Sequence, residues 1–75
     1  MEAEQRSDIR GTITFDSHNN VIESTGVGSQ RFEDIDELSQ VALDAEGFAL
    51  VRGHSLLVHL YKHDDMTLAV YTDAQ

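Results

Sequence analysis

The stretch HSLLVHLYKHDDMTLAVYT, residues 54–72, reads as two short strands about a turn, and both of its alternation phases carry apolar residues. Leu56, Val58 and Leu60 fall on one face and Leu57, His59 and Tyr61 on the other; Leu68 with Val70 and Ala69 with Tyr71 repeat the division. A hairpin with one wet face alternates apolar with polar. This pair asks for cover on both faces, and the chain has only 75 residues with which to supply it. A single domain of that size gains only about 3–5 kcal/mol from one core. Without cysteine there is neither a disulfide framework nor a thiolate zinc site, and nothing points to an oxidising compartment. Association with another chain is the stabilising device that remains.

Charge narrows the choice of partner. Five Lys and Arg against 14 Asp and Glu give a formal net charge of −9, and the basic residues Arg6, Arg10, Arg31, Arg52 and Lys62 form no cluster. Nucleic acid and anionic membrane surfaces repel such a chain. Every apolar run is shorter than the roughly 18 residues of a membrane span, and MEAEQRSD lacks the basic and apolar regions of a signal peptide. Glu2 stands where N-myristoylation needs Gly. These features lead us to expect a soluble intracellular protein.

Residues 1–8 are polar and expected to fray. IRGTITFD, residues 9–16, alternates as a half-buried strand; SHNN supplies turn residues, and VIESTG returns as a second strand. Between Ser29 and Glu46 the pattern predicts a helix. Ser29 or Asp34 is placed to cap it, Glu33, Asp34, Asp36 and Glu37 suit the positive end of its dipole, and Gly47 follows its end. Its apolar residues, Phe32, Ile35, Leu38, Val41, Ala42, Leu43 and Ala45, spread over roughly 200°, about twice the arc of a helix buried on one side. Such a helix is expected to touch its own sheet through Ile35, Leu38 and Ala42, and something else beside it. FALVR, SLLVHLYK and TLAVYT follow as three strands. The order is ββαβββ, an α+β layer pair of one helix on a five-stranded antiparallel sheet, in a single domain over 1–75.

The chemistry-bearing residues favour plain structural roles. His59 and His63 stand four apart with Asp64 and Asp65 following, but in a strand four residues span about 13 Å, so two imidazoles do not share an ion easily. EDIDE lacks the spacing of a calcium loop and suits a solvated helix start. TGVGSQR has neither a dinucleotide fingerprint nor a P-loop ending. Ser24, Ser29, Ser39 and Ser55 lack a nucleophile elbow, and a chain this small encloses a catalytic pocket with difficulty. Neither an enzyme nor a cofactor is expected. Tyr61, Tyr71 and Phe48 read as core or interface anchors.

GTITFDSHNNVIESTGVGSQRFEDI and LDAEGFALVRGHSLLVHLYKHDDMTLAVYT together resemble the Ego family, small roadblock-like subunits of the yeast EGO complex, and do so over essentially the whole chain. The wider likeness is to the roadblock and Ragulator-like domains, with their strand, turn, V-I-x-S-T-G, helix and three strands. The resemblance implies a truncated roadblock-like fold without a C-terminal helix. It also implies pairing with a roadblock-like partner through the helix at 31–46 and the edge strand at 48–52, with the open sheet face left for a lipidated scaffold subunit. Val41 and Asp44 on the helix flank, with Phe48, Leu50 and Arg52 on the edge, are then the candidate partner residues. Leu57, His59, Tyr61 and Tyr71 are the candidates for the open face. The implied function is a non-catalytic scaffold subunit that tethers Rag GTPases on the cytoplasmic face of the vacuolar membrane, indirectly through the complex, and supports amino-acid signalling to target-of-rapamycin complex. A self-sufficient homodimer that senses a ligand or GTPase directly is the alternative. A hydrolytic or metal enzyme is the weaker third.

Overall fold

In a computed structural model, residues 9–53 and 55–73 are described, and the expectation for residues 1–8 lies outside them. Five strands form one antiparallel sheet: β1 (Ile9–Asp16), β2 (Val21–Gly26), β3 (Phe48–Arg52), β4 (Leu56–His63) and β5 (Met66–Asp73), in spatial order β2-β1-β5-β4-β3. The order of elements and the α+β class agree with the reading of the sequence, and no helix follows β5 among the described residues.

The first turn forms as its residues dictate. Asp16 Oδ1 accepts the His18 and Asn20 N–H groups at 2.9 Å each, and Asn19 takes the left-handed conformation at φ 65°. Those amide donors, Asn20 first and then His18, hold the Asp16 carboxyl below its ordinary value despite an opposing desolvation. At the far end of β2 the chain passes very close to β1. Gly28 is buried, and a Cβ there would collide with the Thr12 carbonyl.

The helix is where the structure departs from expectation. Among the described residues only Ile35–Leu38 is α-helical (α1), preceded by 3₁₀ turns at Val27–Gln30 and Phe32–Asp34. Ser39 turns its hydroxyl back onto the Asp36 carbonyl at 3.0 Å, and beyond Gln40 the chain is irregular up to Gly47. Packing explains the early stop. Val41 and Leu43 both lie against the core, whereas in a helix they would stand about 200° apart. An irregular chain lets residues two apart serve one face. The wide apolar arc therefore reflects a segment that leaves the helix, and a helix contacting two bodies is not what forms. Ala42, expected against the sheet, is exposed, and Asp34 makes no side-chain cap.

The core comprises Ile13, Phe15, Ile35, Leu38, Val58, Leu60, Ala69 and Tyr71, with Val27, Val41, Leu43, Ala49, Val51 and Leu56 packed at its margin. All of it lies between the 27–43 segment and one face of the sheet. The opposite face has no cover from any described residue.

Candidate functional site

Register decides which side chains share the uncovered face. Phe48 pairs with Tyr61, Leu50 with His59, and Arg52 with Leu57; across the next ladder His59 pairs with Val70, Tyr61 with Leu68, and His63 with Met66. Directly paired residues share a face. Leu57, His59, Tyr61, Phe48, Leu50 and Arg52, all singled out from sequence, are therefore brought together on one surface. Leu50 is 57% exposed, Phe48 49%, Met66 45% and Tyr61 38%.

The surface is graded from β3 to β2. On the β3 side the Phe48 and Tyr61 rings meet at 4.7 Å between centroids, and Tyr61 stacks near His63 at 6.3 Å. Toward β1 and β2 the same face carries Thr12, Thr14, Glu23 and Thr25, with Thr12 and Thr25 sharing a hydroxyl hydrogen bond of 2.9 Å. His59 Nε2 lies 3.0 Å from the Thr72 hydroxyl and His63 Nε2 lies 3.5 Å from Asp64, so each imidazole has a local partner. Among the described residues no three His, Cys, Asp or Glu side chains gather as a metal site. The arrangement offers contact area and an open edge.

Three candidates need correction. Tyr71, expected on the open face, is fully buried on the covered one, where it pairs with Val58. The two-residue turn at Asp64–Asp65 sets His63 opposite Met66, which puts Ala69 and Tyr71 in phase with Leu60 and Val58. Val41 and Asp44 flank no helix, because α1 ends at Leu38. Val41 packs against the core, and the Asp44 carboxylate binds the Glu46 and Phe48 N–H groups at 2.9 Å each.

On the covered side a cleft of about 610 Å³ opens between α1 and the β3–β4 end of the sheet, lined by Leu38, Val41, Val51, Leu56 and Val58 with a polar wall. That wall was not foreseen. Asp34 accepts a hydrogen bond from Arg31 Nε at 2.9 Å and another from the Tyr71 hydroxyl at 2.8 Å, while the Arg31 guanidinium lies 5.7 Å from the Tyr71 ring centre. Burial, reinforced by Asp34, pushes the Tyr71 phenol well above its usual range, and Asp34 raises Arg31 as well. The Arg31-x-x-Asp34 spacing was the only signal in sequence, since the phenol arrives from 37 residues away.

Comparison with known proteins adds the family. The sequence model of the YNR034W-A-like family matches residues 3–73. The chain is also 76% identical over 75 residues to a protein of Saccharomyces cerevisiae (strain ATCC 204508 / S288c) described as Protein EGO2, with 100% of each chain covered.

Proposed function

The chain belongs to the YNR034W-A-like family of Ego-type proteins, and from that premise we propose that it is a non-catalytic scaffold subunit of an EGO-type, Ragulator-like complex. Its partners are a roadblock-like subunit and a lipidated scaffold subunit. The assembled complex holds Rag GTPases at the cytoplasmic face of the vacuolar membrane and supports amino-acid signalling to target-of-rapamycin complex. The observation that carries this reading is the apolar half-face of Phe48, Leu50, Leu57, Tyr61, Met66 and Leu68, which no other described segment covers, beside an edge strand whose Leu50 and Arg52 no described loop closes. Exposed apolar area of this kind marks an interaction surface, and an open edge strand is a template for pairing.

The mechanism is complementarity. A partner that binds only the folded chain adds stability by mass action. Purification of the chain at native abundance from yeast extract, with identification of what accompanies it, tests the proposal. Co-elution with EGO subunits and a melting temperature raised by them are expected. A stable monomer that elutes alone and melts identically with those subunits added would overturn it.

A further inference from the structure

The outward-facing backbone of β3 is already occupied at one end. Gly47 C=O accepts the Lys62 N–H at 2.8 Å and Gly53 N–H donates to Leu56 C=O at 2.8 Å. Antiparallel alternation then turns Ala49 and Val51 toward β4 as well, and leaves the polar groups of Phe48, Leu50 and Arg52 pointing away from the sheet. At Phe48 both outward groups are satisfied by one residue: its N–H donates to Asp44 Oδ1 at 2.9 Å, and its C=O accepts the Asp44 N–H at 2.9 Å. The same Oδ1 holds Glu46 N–H, and Gly47 at φ 86° lets the loop double back. Asp44 thus imitates one rung of an added strand. Among the described residues no loop closes over the outward groups of Leu50 or Arg52.

We propose that Asp44 is a register stop, closing the Phe48 end of β3 so that a partner's strand is admitted only alongside Leu50 and Arg52. The proposal rests on the scaffold reading above and specifies how its edge is used. The occupant is a strand of another chain with an apolar side chain beside Leu50 and a carboxylate beside Arg52. Among the described residues Leu50 is the most exposed large apolar one and Arg52 has no ion-pair or side-chain hydrogen-bond partner, in a chain with 14 acids. A second copy is the poorer occupant, because it brings a further −9 of net charge to the same edge. A strand that slid two residues toward Phe48 would keep its faces but find the donor and acceptor there already engaged.

Residue-resolved amide exchange on the full chain, alone and in complex with co-purified EGO subunits, tests this. Phe48 is expected to exchange slowly in both states; Leu50 and Arg52 exchange fast alone and slowly in the complex. Asp44→Ala should speed Phe48 exchange in the free chain by about tenfold or more, and Asp44→Asn, which keeps Oδ1, should not. In the Asp44→Ala complex, protection should return to Phe48 as the strand reaches it; continued fast exchange there overturns the stop. Arg52→Glu should weaken assembly about tenfold or more. A complex in which Leu50 and Arg52 exchange as in the free chain overturns this proposal alone, whereas failure to form any complex overturns the scaffold reading with it. Protection of Leu50 and Arg52 that grows with concentration in the free chain would give the edge to a second copy and overturn the assignment to a different partner.

Discussion

On one face of the sheet Ile13, Leu60 and Tyr71 are buried under the 27–43 segment, whereas on the other Phe48, Leu50 and Tyr61 remain 49, 57 and 38% exposed. The side chains are of similar size and hydrophobicity, and Leu60 and Tyr61 are neighbours in one strand. What differs is the cover. A short α1, two 3₁₀ turns and an irregular stretch shield only the face they cross, and the chain has no second such segment among its described residues. Apolar character in a strand therefore marks a demand for burial, while the location of burial depends on which segment can reach it.

Substitutions that treat the two faces alike would break this contrast. Leu60→Ala on the covered face should lower stability by about 2–5 kcal/mol, read from denaturant unfolding of the free chain, since it removes a side chain at the centre of the core. Gly28→Ala should cost about 1–3 kcal/mol, because its new methyl collides with backbone at Thr12 that has no room to retreat. Tyr61→Ala, on the open face, should change the free chain by only about 0.5 kcal/mol but weaken assembly by about 2 kcal/mol, measured by pull-down and titration side by side. Equal losses in both assays would erase the distinction between the faces.

Smaller effects sharpen it. Tyr71→Phe removes the hydroxyl that donates to Asp34 and should cost about 1 kcal/mol. The Tyr71 phenol is raised by burial, so the stability tied to its neutral form is complete below its unfolded value near 10.0 and is lost as pH rises toward its folded value. An alkaline absorbance titration should show a late tyrosine step that Tyr71→Phe abolishes. The smallest effect lies at acid pH. Asp16 and Asp73 are held below 3.8 by Asn20 and Arg10 respectively, so their contribution is present above that value and fades as pH falls through their folded values. Arg10→Gln should flatten the Asp73 part of that acid slope.

Much of the fold was legible from alternation and turn chemistry. SHNN, Gly47 and the strand patterns placed five strands because local backbone preference and period-2 burial agree there. The helix was overdrawn: acidic residues and an apolar arc over 29–46 satisfy helical pattern rules, but only tertiary packing shows that Val41 and Leu43 must face the same core. Six of the candidate surface residues were legible because their phase follows from β3 and β4. Tyr71 was not placed correctly, although the two-residue turn at Asp64–Asp65 already implies its pairing with Val58. The Arg31–Asp34–Tyr71 cluster was illegible, because nothing local to residues 31–34 announces a phenol from β5.

The sheet order also fixes how the molecule can assemble itself. β1 with β2 is one local hairpin and β3, β4 and β5 are one local meander, and the seam between them is the β1–β5 ladder, clasped by an Arg10–Asp73 ion pair 63 residues apart in sequence. Both halves gain from short loops, while the seam closes most of the chain into a single ring before it gains anything. The seam is then the late step in folding, and until it zips β1 and β5, both interior strands of the finished sheet, are themselves exposed edges.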